Sequence, residues 1–339
     1  MTNLGKKNIA RFIALVLCAW MLGSSSAVAQ RDGQIRSVTS ADFKITRYAV
    51  KPGMGNRDVA PAPDGTVWYS NQWSGSVGHL DPKTGRSMIV PLGRGSSPHG
   101  ILMGPDGNLW ALDGGQNAIV RVNSSDHKLT LFKLPVHKDA NLNTGVFDHS
   151  GMLWFTGQNG IYGRLDPRTG DIKTWPAPVG FGPYGITVTP SDDVWFTNFA
   201  CNYIAKIDTK TFKLTKVDMP SASPTGARRI WSDSKGNLWL ATWASGELLR
   251  YTPAEKKWVA YKLPGWGPRG YSMYVDEEDV VWVSEFMTNS VWRFDPKTET
   301  YVDFPGLKPM SQVLQMAGRA GQVWGSEQGN DTVFVIERR

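Results

Sequence analysis

One tryptophan recurs at nearly equal intervals along the chain, and no other feature restricts the fold as tightly. Trp68, Trp110, Trp154, Trp195, Trp239, Trp282 and Trp324 lie 42, 44, 41, 44, 43 and 42 residues apart. That period belongs to a four-stranded propeller blade rather than to a helical-hairpin array. Seven anchors predict an all-β, seven-bladed β-propeller. Around each anchor the residues read as a hairpin. In residues 98 to 113, Pro-His-Gly-Ile-Leu-Met-Gly-Pro-Asp-Gly-Asn-Leu-Trp-Ala-Leu-Asp, two apolar runs flank Asp106-Gly107. Such a pair suits a tight turn because glycine tolerates positive φ. Asp64-Gly65, Ser150-Gly151, Asp192-Asp193, Lys235-Gly236 and Ala320-Gly321 occupy the same place. The tryptophans themselves read as core between blades, since each buried aromatic withdraws roughly 150 to 250 Å² from water.

The two ends of the chain complete this reading. Lys6, Lys7 and Arg11 precede an apolar run from Phe12 to Leu22, and Ala27-Val28-Ala29 offers a small-x-small cleavage site. Residues 1–29 therefore read as a secretory signal peptide, its apolar run well short of the roughly 20 residues that span a bilayer. Export to the periplasm or medium is expected, with no membrane association after cleavage. Residues 30–42 are polar and aperiodic and read as a flexible leader. Residues 43–339 form the single propeller domain. Phe43 to Val50 alternates like a half-buried strand, whereas the seventh repeat ends after Thr332 to Ile336 without an outer strand. The N-terminal strand is thus expected to complete the last blade and close the ring.

The formal charge is +7, and three cations fall in the signal segment, which has no acidic residue, so the mature chain keeps +4. With no basic run interleaved with aromatics, nucleic acid is not an expected partner. Asp81, Asp166, Asp208 and Asp295 end the third strands and read as turn residues. His79, His127, His137 and His149 lack partners at metal-ligand spacing and read as structural or surface side chains.

Chemistry is expected on one rim, where loops entering the first strands meet loops leaving the second. With His99 as position zero, the equivalent residues are Arg57, His99, Asn143, Tyr184, Arg228, then Arg269 or Tyr271, and Val313 with Gln312 beside it. Position +14 holds Asn71, Asp113, Gly157, Asn198, Thr242, Glu285 and Glu327. These residues vary while the frame around them repeats. The arginines suit an anionic or carbonyl-rich ligand because guanidinium offers a planar fork of donors. Glu285 and Glu327, in neighbouring blades, are candidate ligands for Mg²⁺ or Ca²⁺, which prefer oxygen. His99 with Asp113 opposite is the candidate general base. No organic cofactor is expected, and the chain is expected to be a monomer.

The recurrent Pro-x-Gly-Ile and Asp-Gly-x-Leu-Trp-Phe-Thr elements, seen in Pro98 to Asp113, Pro183 to Asn198 and Gly151 to Thr156, resemble those of the streptogramin B lyase (virginiamycin B lyase) family of seven-bladed propellers. The resemblance spans Phe43 to Ile336. It implies opening of a cyclic depsipeptide by elimination, with a histidine at position zero of the last blades, a glutamate at +14 and Mg²⁺. Glu327 matches that glutamate. The histidine positions hold Val313 or Gln312 and Arg269 or Tyr271, and Arg57 stands where the family has tyrosine. A metal-assisted lyase with Glu327, Glu285 and His99 as catalytic residues is one expectation. A non-catalytic scaffold or sensor and a metal-dependent lactonase-type hydrolase are the alternatives.

Overall fold

The computed structural model describes residues 29–31, 33–35, 42–135, 139–221, 225–306 and 309–339. The signal segment, apart from Ala29, and His137 lie outside the described residues. The second strand of each repeat is the least exposed element. Val67–Asn71, Leu109–Asp113, Leu153–Gly157, Val194–Asn198, Leu238–Thr242 and Val281–Glu285 are buried at every position. A strand covered on both faces by neighbouring sheets needs apolar residues throughout, so these segments show little alternation. Outer strands such as Leu129–Lys133 are mostly exposed.

Each blade is a four-stranded antiparallel sheet. Blade 1 comprises Asn56–Pro61, Val67–Asn71, Ser76–Asp81 and Arg86–Pro91, and blades 2 to 6 repeat that order. Blade 7 takes Val313–Arg319, Gln322–Glu327 and Thr332–Arg338 from the end of the chain and Phe43–Ala49 from its beginning. The last two pair antiparallel from Phe43 with Arg338 to Ala49 with Thr332. First strands of successive blades pack against one another all round the ring, blade 7 against blade 1 included. Expected seven blades and expected closure are both present.

The anchor tryptophans lie in the layers between blades, and most also hold their own hairpin. The indole N–H donates to a turn carboxylate from Trp110 to Asp106 (3.1 Å), Trp154 to Asp148 (2.7 Å), Trp239 to Asp233 (3.0 Å) and Trp282 to Asp276 (2.8 Å). The aspartates ending the third strands behave as turn residues. Asp81, Asp166, Asp208 and Asp295 each accept the backbone N–H two positions on.

The described part of the leader departs from expectation. Ala29–Arg31 adds a parallel fifth strand to the outer edge of blade 5, against Val259 to Tyr261, and Gln34–Ile35 does the same on blade 6, against Thr300 and Tyr301. An open sheet edge is a ready template for another strand, and polar sequence without alternation suits a solvent-facing edge. Among the described residues no helix is long and apolar enough to cross a membrane.

A chain starting at Lys51 lacks the strand that closes blade 7 and is expected to lose cooperative thermal unfolding. One starting at Asp42 keeps that strand and is expected to melt within about 5 °C of the longer protein. Circular-dichroism melts of both truncations check this.

Candidate functional site

Every first strand carries a register shift at its axial end. In blade 2 Pro98 pairs with Asp113 and Ile101 with Ala111, leaving His99 and Gly100 outside the ladder, and the other six blades shift at the equivalent place. Bulges of this kind re-aim side chains. Here they free position zero and the residue after it. The pairing settles sixth-blade position zero as Tyr271, since Gly270 pairs with Glu285. It also corrects the seventh. The blade 7 hairpin, with Arg319 opposite Gln322, has a shorter turn than the others, so Val313 pairs with Glu327 and takes the place of Pro98. Leu314 stands at position zero and packs with Tyr184 and Tyr271.

These residues form the floor of a funnel on the ring axis. Arg57 Nη2 lies 3.4 Å from both Tyr184 Oη and Tyr271 Oη, which are 2.5 Å from each other. Arg57 Nη1 donates to Gln72 Oε1 (3.2 Å). Below, Arg229 Nη2 reaches Asp58 Oδ2 (2.9 Å) and Nη1 donates to Thr144 Oγ1 (2.8 Å), while Asp58 Oδ1 is 3.5 Å from Arg57 Nε. Asn143 donates to His99 Nε2 (3.3 Å), and Thr144 donates to Asn143 Oδ1 (2.7 Å). Beneath this layer the first strands line a largely apolar channel. Asp58, Arg229 and Thr144 all follow position zero, a place the sequence reading does not consider. Gly100 and Gly185 share it for a steric reason. A Cβ on Gly185 would come within 2.5 Å of the Arg228 carbonyl, and one on Gly100 would overlap that of Asn143.

The floor is electropositive. Arg57, Arg228 and Arg229 face one carboxylate, Asp58. Burial holds the Asp58 carboxyl above its usual value even though Arg229 and Arg57 pull it down. Burial, reinforced by Arg57, Arg229 and Arg228, drives the His99 imidazole well below its ordinary value, so it is neutral near pH 7.

Arg228 is held by aromatic rings. Its guanidinium carbon lies 4.9 Å from the Phe199 ring centroid, 5.0 Å from Tyr271, 5.5 Å from Tyr184 and 5.6 Å from Trp243. Among the described residues its Nε has no hydrogen-bond partner. Phe199, Trp243 and Phe286 each follow a +14 residue, in blades 4, 5 and 6. They wall one side of the funnel, where Gln72, Gly114, Gln158 and Gln328 stand in the other blades. Arg269 sits higher, 5.8 Å over Trp243 and bonded to its carbonyl (3.2 Å), in an open cleft with Phe286, Met287, Met310 and Gln312.

The +14 residues serve their own loops. Asp113 accepts Ser96 Oγ (2.5 Å), Ser97 N (2.8 Å), Gln116 N (3.1 Å) and Gln116 Nε2 (2.9 Å), so it is not the orienting partner expected for His99. Asn198 accepts from Ala200 N and Cys201 N, and Asn71 donates to Ser76 Oγ. Glu285 accepts Arg269 N (2.5 Å) and Met287 N (2.8 Å) on one oxygen, Thr288 N (2.5 Å) and Thr288 Oγ1 (2.6 Å) on the other. A carboxylate has about four acceptor sites, and these four donors occupy them. Glu327 pairs with Arg47 (3.5 Å) and accepts Asn330 Nδ2 (3.2 Å). Among the described residues no three His, Cys, Asp or Glu side chains converge as a metal group. The Glu285–Glu327 pair therefore does not fit Mg²⁺ or Ca²⁺, which need several uncommitted oxygens.

The sequence model of the virginiamycin B lyase family matches residues 27–294. No curated protein matches the chain significantly. Among solved structures, the selenomethionine-substituted virginiamycin B lyase from Staphylococcus aureus aligns with a TM-score of 0.80 at 19% identity, covering 87% of this chain and 99% of that one. A streptogramin B lyase structure gives 0.80 at 21% identity, covering 88% and 98%. Kuenenia stuttgartiensis hydrazine synthase gives 0.71 at 14%, covering 85% and 97%. At such identities the structural likeness speaks to fold alone.

Replacing Asp58 with Asn leaves Arg229 and Arg57 buried without their counter-charge, and is expected to cost about 3 kcal/mol in denaturant unfolding. His99 excludes a proton in the folded state that the unfolded chain takes up below its ordinary value of about 6.5. Stability therefore falls as pH drops below that point. In His99→Gln this component disappears, and the difference between the two stability curves is expected to change by about 1.4 kcal/mol per pH unit there.

Proposed function

We propose, because this chain belongs to the virginiamycin B lyase family and lines its funnel with an arginine caged by four aromatic rings, that it binds a small anionic or carbonyl-rich molecule there. The single observation that carries the reading is Arg228. A half-buried guanidinium already largely desolvated by rings can meet an incoming ligand oxygen at little further desolvation cost. Phe199, Trp243 and Phe286 then cover a flat or apolar part of the ligand. The three guanidiniums against one carboxylate favour a ligand that is an anion or becomes one. The signal-like segment supports export as the setting in which such a ligand is met.

Elimination from a cyclic depsipeptide is the reaction that family membership brings forward. Position zero of the sixth and seventh blades holds Tyr271 and Leu314 in this chain, so a base there is a phenol and not an imidazole. Glu285 and Glu327 support a loop-holding role better than a metal-assisted step, and a lactonase reading meets the same obstacle. The scaffold reading draws on a different observation. Trp73, Phe181, Trp266, Met287 and Met310 are all strongly exposed, and all sit on loops of the funnel face. That collar supports contact with a larger apolar surface.

Benzoate, a planar ring bearing a carboxylate, is expected to raise the melting temperature of the wild-type protein by several degrees at millimolar concentration, and not that of Arg228→Gln. Equal shifts in both proteins, or none in either, would rule the funnel reading out. Incubation with a cyclic depsipeptide and mass spectrometry checks for ring opening without gain of water.

A further inference from the structure

The hydroxyl pair at the centre of the floor is not accounted for by ligand binding. Tyr184 and Tyr271 come from blades 4 and 6, yet their oxygens lie 2.5 Å apart. At that separation two negative charges cannot coexist, whereas one proton shared between two oxygens makes a short, charge-assisted bond. Arg57 Nη2 stands 3.4 Å from each oxygen, equally placed for a charge on either. Arg228 lies over both rings, and Arg229 is 5.6 Å from the centre of the Tyr184 ring. Tyr184 is 2% exposed and Tyr271 8%, so Tyr271 is the member that edges into the funnel.

We propose that Tyr184 and Tyr271 act as one proton-accepting pair, which loses a single proton and then removes one from a neutral carbon or oxygen acid bound in the funnel. The inference rests on the funnel being a ligand site. In the resting ionised form the pair carries one phenolate charge beside three guanidiniums. A lone pair on the phenolate oxygen takes the ligand's acidic proton, and the electrons of the broken bond remain on the ligand as an enolate or oxyanion. The pair returns to its neutral, doubly protonated form. Net charge in the floor is unchanged, because the anion moves from the phenol to the ligand beside Arg228. No oxidant, reductant or metal is required.

The surroundings act in the direction this needs. Burial opposes ionisation of Tyr184, but Arg57, Arg229 and Arg228 outweigh it and bring the group below an ordinary tyrosine. Burial, and then the charge on Tyr184, pushes Tyr271 up to about 12, so the second proton stays. The other groups facing the pair do not reverse this. His99, ring to ring with Tyr184 at 6.1 Å, is held neutral. Asp58 is engaged by Arg229 and Arg57. Phe199, Trp243, Phe286 and Leu314 are apolar.

Two readouts test the pair. Absorbance at the tyrosinate band, followed with pH in the ligand-free protein, is expected to show one of the ten tyrosines ionising ahead of the rest. The step should vanish in Tyr184→Phe and move to higher pH in Tyr271→Phe, with circular dichroism confirming that both variants fold. Absence of an early step in the wild-type protein, or its survival unchanged in both variants, would overturn the proposal. The second readout uses 4-nitrophenol below its own solution transition. The wild-type protein is expected to bind it as the yellow phenolate, and Tyr271→Phe to lower the bound phenolate fraction roughly tenfold, equivalent to one unit of acidity. Nitrophenol bound without colour refutes the proton transfer but leaves the ligand site standing. If it shows no binding by calorimetry and benzoate gives no stabilisation, the ligand site itself fails, and the proposal with it.

Discussion

Seven sheets sharing an axis must fill that axis with side chains, and in this protein the filling turns on one buried carboxylate. Asp58 sets its charge against Arg229 from the far side of the ring and against Arg57 beside it. Without it three guanidiniums would crowd a low-dielectric space, at a cost no family of neutral hydrogen bonds could offset. The arrangement is possible because each first strand leaves its ladder for two residues, which lets a side chain from blade 1 meet one from blade 5 across the channel. Structure and electrostatics are therefore one problem here. The bulges that break the pairing also place the charges.

Much of this is legible in the sequence, and the parts that are not have identifiable causes. The tryptophan period gives the blade count, and the missing outer strand of the seventh repeat gives the closure, because both are statements about covering sheet edges. The repeat spacing places Arg57, His99, Asn143, Tyr184 and Arg228 at position zero, and the structure gathers them on one floor. Counting fails in blade 7, where a hairpin turn shorter than the others shifts every later residue against its partner and disguises Leu314. It fails differently at position +14. Whether a carboxylate looks into the funnel or into its own loop depends on how many backbone N–H groups that loop presents, and Glu285 meets a full set. Asp58, Arg229, Phe199, Trp243 and Phe286 each sit one place beyond position zero or +14, outside the pattern that the repeat spacing marks. The Arg228-Arg229 pair and an aromatic directly after the +14 residue in three successive blades were the available signals.

Membership of the virginiamycin B lyase family fixes the scaffold more firmly than the chemistry. The frame residues, Gly-Ile, Asp-Gly and the tryptophan, answer to packing and turn geometry, which any ligand would leave intact. The floor residues lie outside those packing and turn demands and differ from blade to blade. Tyrosine and leucine stand at position zero of the last two blades, and phenols and guanidiniums dominate the floor.

The course of the N-terminal segment has a mechanical consequence. Ala29–Arg31 lies on the outer edge of blade 5, Gln34–Ile35 on that of blade 6, and Phe43–Ala49 is the last strand of blade 7. These three blades supply Trp243, Arg269, Phe286 and Met287 together with the Met310 and Gln312 loop. These pairings cover three successive outer edges and stiffen the sector that carries the aromatic cleft. Among the described residues blades 1 to 4 carry no added outer strand. Any widening of the funnel mouth would therefore be taken up on their side, where glutamines stand, and not at the stiffer aromatic wall.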